Sequence, residues 1–313
     1  MTRAFIFPGQ GSQMVGMGQE LAAAFPIARH TLQEVDDALN QNLSRLMAQG
    51  SPDELTLTEN AQPALMAVSL AVLRVLETEA GIDIEKSCKY VAGHSLGEYS
   101  ALAAARSLDI ADAARLLKMR GRAMQEAVPI GLGAMAALLG AELDQAREIA
   151  ADAAEDEVCE TANDNAVGQI VISGHKTAVD RAIALASERG IRRAIELPVS
   201  APFHCSLMQP AADIMEQALD EIELRRPVVP LIANVTAAAV DRPDEIRDLL
   251  VKQVTAMVRW RESVLTMRDA GVYTLVELGA GKVLSGLLRR IDRDMTAISV
   301  DGPGDIEALM KTL

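Results

Sequence analysis

The chain has 313 residues, half of them hydrophobic, enough for one large domain or two unequal ones around a sizeable core. Aromatic residues make up only 3%, so that core must be aliphatic. Thirty Lys and Arg against 44 Asp and Glu leave a net charge of −14, which argues against nucleic acid or an anionic membrane as the main partner. Cys88, Cys159 and Cys205 are widely spaced and odd in number, with neither disulfide nor zinc spacing. A reducing, cytoplasmic compartment is the default. The apolar run before Pro8 is too short for a signal peptide, and no stretch is expected to span a bilayer.

Residues 4–7 read as a buried strand stopped by Pro8. Gly9-Gln10-Gly11-Ser12-Gln13 follows as a glycine-rich loop, without the Gly-Lys-Ser/Thr that a P-loop phosphate cradle requires. Helical patterns fill 16–46. In 60–79, Leu65, Val68, Val72, Val75 and Leu76 mark the buried face of a long helix that Gly81 stops. Tyr90-Val91-Ala92 is a short strand, 98–106 a helix, and 110–128 a further helix ending at Pro129. The pattern then changes. Residues 133–139 read as a strand, 144–154 as a helix and 157–162 as a strand, with Asn163-Asp164-Asn165 as a turn. Residues 169–173 read as a strand, 177–188 as a helix and 191–197 as a strand. That order, β-α-β-β-α-β, is the ferredoxin-like split unit. It predicts an inserted small subdomain over 129–198, with 1–128 and 199–313 forming the large one. Past the insertion come a helix over 206–222, a strand over 228–233 and helices over 245–252 and 260–270. A strand over 273–278, a helix over 282–290 and a last strand over 296–300 complete the chain. The alternation implies an α/β fold with a mainly parallel sheet covered on both faces.

Between the strand at 90–92 and the helix at 98–106 lies Gly93-His94-Ser95-Leu96-Gly97, a G-x-S-x-G nucleophile elbow in its proper context. The sharp turn strains the serine and pushes its Oγ into the open, and the Leu96 N–H sits at a helix N-terminus suited to an oxyanion. The plain alternative is a helix cap with Ser95 at the N-cap. A serine nucleophile needs a base, and there are four histidines, His30, His94, His175 and His204. The His94 side chain should diverge from that of Ser95 at a sharp turn. His204 follows Pro198-Val199-Ser200-Ala201-Pro202-Phe203, a stiff loop able to hold an exposed base. No single acid can be picked to orient it, and a backbone carbonyl could serve. Arg120 could clamp a carboxylate bidentately, or belong to a solvated helix face.

Taken together, the chain resembles the malonyl-CoA:acyl-carrier-protein transacylases, acyltransferases of fatty-acid and polyketide synthesis. The resemblance rests on Phe7-Pro8-Gly9-Gln10-Gly11-Ser12-Gln13, on Gly93-His94-Ser95-Leu96-Gly97-Glu98-Tyr99, on Arg120-Gly121-Arg122-Ala123-Met124 and on Phe203-His204. Asn163 with Gly168-Gln169-Ile170-Val171-Ile172-Ser173-Gly174 resembles the small-subdomain segment. The resemblance implies an α/β-hydrolase-like core with a ferredoxin-like insertion. It implies Ser95 as nucleophile and His204 as general base and acid. The backbone N–H groups of Gln10 and Leu96 would form the oxyanion hole, and Arg120 would bind the malonyl carboxylate. Gln253 falls where the family's histidine-orienting carbonyl lies, and Asn163 would line the pantetheine path. Phe203 and Leu96 fit a malonyl preference, although a single methyl group is worth only about 1–3 kcal/mol of discrimination. Val258-Arg259-Trp260 departs from the family's more polar residues before the tryptophan.

The implied reaction is ping-pong transfer from malonyl-CoA to acyl carrier protein by a monomer, without metal or redox cofactor, in fatty-acid or polyketide synthesis. Arg189, Arg192 and Arg193 are candidates for docking the acidic carrier, against the alternative of a solvated charged face. The cysteines are expected to fill core, although Cys205, beside His204, could be partly exposed. Two rival readings stay open at this point: a serine hydrolase or thioesterase on a related core, and a non-catalytic carrier-binding scaffold.

Overall fold

The computed structural model describes residues 2–311. Its larger sheet contains β1 (Arg3–Phe7), β2 (Tyr90–Gly93), β7 (Leu231–Ile232), β8 (Ala239–Val240), β9 (Thr274–Leu278) and β10 (Thr296–Val300). Their spatial order is β10-β9-β1-β2-β7-β8, and every pairing is parallel except the short β7–β8 hairpin. β1 is central and buried on both faces. Its Phe5 and Phe7 join one apolar cluster, and its Ala4 and Ile6 join another. This is the period-two split expected of a strand with helices on each side. The first face is covered by helices Thr58–Glu79, Gly97–Ala104 and Ile110–Ala127, and the second by Trp260–Asp269 and Val283–Ile291.

The smaller sheet holds β3 (Gly133–Leu139), β4 (Cys159–Ala166), β5 (Gln169–His175) and β6 (Arg193–Glu196), antiparallel in the order β4-β5-β3-β6. Its helices, Leu143–Ala154 and Lys176–Glu188, pack on one face over Ala136, Leu138, Ile170 and Ile172. The other face sends Met135, Ala137 and Val171 into the main core. The fold is therefore α/β, a mainly parallel sheet with an added ferredoxin-like unit.

Several elements differ from the sequence expectation. Asn163, Asp164 and Asn165 are not a turn but part of β4, whose register shifts around them. These residue types favour turns, yet Asp164 N–H donates to the Val258 carbonyl and Val258 N–H to the Ala162 carbonyl, each at 2.9 Å. That long-range pairing overrides local propensity. Residues 16–46 form three helices, Gln19–Ala24, Pro26–Leu39 and Leu43–Gln49, divided at Pro26 and at left-handed Asn40. The strand over 228–233 shrinks to β7, and a helix, Pro303–Met310, follows the last strand. Residues 206–222 open with a 3₁₀ turn, Ser206–Met208, before the helix Gln209–Asp220.

Thr58–Glu79 requires two corrections. Its residues are buried all the way round from Asn60 to Leu73, not on one face. It is also long and apolar enough to cross a bilayer, contrary to expectation, but its apolar window is 83% buried within the protein. A helix apolar on every side can equally be the central helix of a large core.

That helix is crossed closely by Ile110–Ala127. A Cβ on Gly121 would lie 2.5 Å from Glu59 Cα and 2.6 Å from Thr58 O. Gly121→Ala would gain about 1 kcal/mol of helix propensity. The overlap is with backbone, which cannot swing aside, so overpacking of about 1–3 kcal/mol should prevail. Denaturant unfolding should give a less stable variant; equal or greater stability would show that the crossing can relax.

Candidate active site

Parallel strands bring three loops to one edge of the large sheet. Gln10 follows β1, Ser95 follows β2 and Asn234 follows β7, with Phe7 beside Gly93 and Ala92 beside Ile232 in register. The carboxyl ends of such strands are where α/β folds place their ligands. The elbow is tight. A Cβ on Gly97 would lie 2.4 Å from the Phe7 carbonyl oxygen, and one on Gly93 only 1.9 Å from the Gly97 backbone. Between them Ser95 takes φ 54°, a left-handed conformation costly for a residue with a Cβ. Asn234 holds it there. Its Oδ1 accepts from Ser95 N–H at 2.8 Å, and its Nδ2 donates to the Gly93 carbonyl at 2.7 Å.

His204 also has a left-handed backbone, at φ 59°. It was expected to be an exposed base but is buried, with 4% of its surface accessible, and Cys205 beside it is fully buried. Nδ1 of His204 lies 2.9 Å from the Gln253 carbonyl oxygen, and Nε2 lies 2.8 Å from Ser95 Oγ. A carbonyl only accepts, so Nδ1 carries the proton and Nε2 is left to accept from the serine hydroxyl. Burial, then the nearby Arg120 charge, pushes the His204 pKa down to about 3. The imidazole is therefore neutral, as a base must be.

Arg120 does not lie on a solvated helix face: it is 1% exposed. Its Nη1 donates to Gln62 Oε1 at 2.7 Å, and its Nη2 to Gln253 Oε1 at 2.8 Å and to Ser95 Oγ at 3.1 Å. The Tyr99 ring centroid lies 5.8 Å from its Cζ. Its helix neighbours Lys118 and Arg122 both reach Glu59, but among the described residues no carboxylate forms an ion pair with Arg120, and its Nε has no hydrogen-bond partner. A buried cation held by neutral oxygens, with a donor to spare, is prepared for an anion from outside.

The carboxyl whose charge acts on Arg120 is Glu98, in the first turn of the helix after the elbow. It accepts from Asn234 N–H at 2.7 Å and from Gln253 Nε2, which also donates to the Ser95 carbonyl at 2.9 Å. Burial pushes its pKa up to about 8, against the hydrogen bonds and the Arg120 charge that lower it.

The remaining expected residues divide. Gln10 and Leu96 stand at the serine's edge of the sheet, and neither backbone N–H donates to a described protein acceptor. Phe203 is buried in the main apolar cluster. Asn163 sits in β4, buried, in a bridge with Val258. A cavity of about 380 Å³ reaches His204 past Glu160, Thr161, Thr255 and Met257, and Asn163 is not in its wall. His94 turns away from Ser95, as expected at a sharp turn, placing Nε2 2.8 Å from Asn165 Oδ1 and its ring 5.9 Å from that of Trp260. His30 is exposed, and His175 accepts from Val158 N–H. Sequence reasoning assigned no role to Asn234, Glu98, Gln62 or Thr58. For Asn234 the available signal was its place just beyond a strand of a parallel sheet, and for Glu98 its place in the elbow motif; Gln62 and Thr58 carried none.

A hydroxyl on a strained strand-to-helix turn, hydrogen-bonded to a neutral imidazole and flanked by unspent amides, defines a serine acyl-transfer enzyme on an α/β core. The chain belongs to the acyl transferase family: the family model described as acyl transferase domain matches residues 4–299. It is 46% identical over 308 residues to the malonyl CoA-acyl carrier protein transacylase of Escherichia coli (strain K12), covering 98% of both chains. The crystal structure of acyl-carrier-protein-S-malonyltransferase from Bartonella henselae matches with a TM-score of 0.97 at 53% identity, over 100% of this chain and 99% of that one. A malonyl-transacylase solved in complex with its type II PKS acyl-carrier protein matches with a TM-score of 0.96 at 40% identity, over 100% of both chains.

The low His204 pKa has a kinetic consequence. Protonation disables the base, and it begins only well below the ordinary histidine range. The profile of kcat/KM for acylation should therefore show no inflection near pH 6.5, with its acid limb below about pH 5. A half-maximal rate near 6.5 would mean that the imidazole is solvated in the free enzyme.

Proposed function

We propose that this chain is a malonyl-CoA:acyl-carrier-protein transacylase that works through a malonyl ester on Ser95. His204 Nε2 takes the hydroxyl proton as Oγ attacks the thioester carbonyl. The oxyanion is received by the backbone N–H groups of Gln10 and Leu96. Collapse breaks the C–S bond, and CoA leaves with the proton from His204. The carrier's phosphopantetheine thiol then gives its proton to His204 and attacks the ester carbonyl. The acyl group passes to sulfur, and Ser95 recovers its proton. No step calls for a metal or redox cofactor.

The observation that carries this reading is Arg120, a buried guanidinium without a carboxylate ion-pair partner among the described residues, 3.1 Å from the nucleophile. A malonyl carboxylate supplies the missing anion; an acetyl group does not. The same feature favours transfer of a dicarboxylic acyl group over general ester hydrolysis. The Gln253 carbonyl is the orienter of His204 in this reading. In this reading Phe203 limits room beside the acyl chain, and Asn163, absent from the wall of the cavity at His204, keeps only the pantetheine role that the resemblance implies.

The reading extends to organisation. Residues 1–128 and 199–313 form a catalytic subdomain, and 129–198 a small one. A monomer is the proposed state. Three unpaired thiols fit a cytoplasmic setting. Fatty-acid elongation is the pathway proposed. Arg189 forms an ion pair with Asp152, which leaves Arg192 and Arg193 as the more available cations for an acidic carrier.

Brief exposure to malonyl-CoA, followed by peptide mapping, should place the malonyl group on Ser95, and Ser95→Ala should take up none. Arg120→Ala should lower malonyl transfer by roughly 10²-fold while raising the acetyl-to-malonyl ratio. An equal loss for both acyl groups would make the arginine structural.

A further inference from the structure

Gln10 and Arg120 are joined by a line of hydrogen bonds that the mechanism does not use. Arg120 Nη1 donates to Gln62 Oε1 at 2.7 Å, Gln62 Nε2 donates to Thr58 Oγ1 at 2.9 Å, and Thr58 Oγ1 donates to Gln10 Oε1 at 2.8 Å. Thr58 and Gln62 are buried, at 0% and 2% exposure.

The first two directions are forced. A guanidinium can only donate, so Gln62 turns its oxygen toward Arg120 and its nitrogen toward Thr58. The Thr58 hydroxyl accepts that bond, and its single proton is left for Gln10. All three bonds point away from one positive charge, an arrangement in which each bond polarises the next. A threonine at a helix start commonly caps its own helix, but here the helix has no side-chain cap and the hydroxyl reaches across to another loop. Its position is set from behind, where Gly121 lets the helix Ile110–Ala127 pack directly on Thr58 O. Gln10 lies on a short loop between Gly9 and Gly11, and Gly11 has φ 104°. The bond to Thr58 ties the Gln10 side chain to the central helix.

We propose that Thr58 is a positioning residue for acyl transfer: through Gln10 it fixes the loop whose N–H meets the oxyanion, and through Gln62 it ties that loop to the arginine facing the acyl carboxylate. The proposal rests on the roles given above to Gln10 and Arg120. It differs from a malonyl-recognition role in what it should affect. An oxyanion hole serves every acyl group, whereas a carboxylate clamp serves only malonyl.

The test compares Thr58→Val, Thr58→Ala and Thr58→Ser with wild type and Ser95→Ala, in malonyl and acetyl transfer to carrier. Rates are taken per acylatable serine, measured from the burst of labelled acyl group, so that partial folding does not register as lost rate. Thr58→Val and Thr58→Ala should lower kcat about tenfold for both acyl groups, with KM for malonyl-CoA within about threefold of wild type. Thr58→Ser should return kcat to within about threefold of wild type. An unchanged kcat in Thr58→Val and Thr58→Ala, a loss confined to KM, or a serine variant no better than valine would overturn the proposal. Transfer surviving in Ser95→Ala would instead overturn the proposed function.

Discussion

The site turns on one buried amide. The main-chain oxygen of Gln253 holds His204, its side-chain oxygen takes Arg120, and its side-chain nitrogen meets both the Ser95 carbonyl and Glu98. A carboxamide has one accepting and one donating end, so Arg120 on one side and two acceptors on the other leave it a single orientation. One residue thus sets the histidine tautomer and the plane of the guanidinium together. The orienting group is a neutral carbonyl and not a carboxylate, which matters here. A buried aspartate at that place would compete with an incoming acyl carboxylate for the Arg120 charge, in a setting where charges interact strongly.

Burial acts on the site's ionisable groups in opposite directions. His204 is pushed from 6.5 down to about 3, so its neutral form contributes stability that is present above pH 6.5 and lost as pH falls toward 3. Glu98 is pushed from 4.5 up to about 8, so its contribution is present below pH 4.5 and lost as pH rises through 8. Burial thus favours the neutral form of both groups, while the Arg120 charge acts on each in turn, against the proton on His204 and in favour of the Glu98 carboxylate.

Much of this was legible because it is written locally. The elbow needs a strand, two glycines, a serine and a helix in immediate succession, and all are adjacent in the chain. The split β-α-β-β-α-β unit follows from periodicity that changes within a few residues. What stayed hidden depends on contacts across the chain. Arg120 lies among Lys118 and Arg122, which do meet solvent and Glu59, so nothing local separates it from them. Asn163-Asp164-Asn165 has turn composition and became strand because Val258, far along the chain, supplies the bonds. Cys205 and His204 look accessible beside two prolines, yet both are buried. The Gln62–Thr58 line could not be read at all, since it depends on which way two side chains turn inside a helix buried on every side.

The bond between His94 and Asn165, and the pairing of β4 with Val258, bear on how the molecule can be taken apart. The four-stranded unit looks like a module that could be exchanged between relatives. Its β4, however, completes its hydrogen bonds on the segment before Trp260, and its inner face supplies Met135, Ala137 and Val171 to a core it does not own. An excised unit would leave open backbone on both fragments and an apolar face in water. A chimaera must carry the Val258 segment as a co-inherited partner, so the boundary relevant to recombination is drawn by contacts and not by chain position.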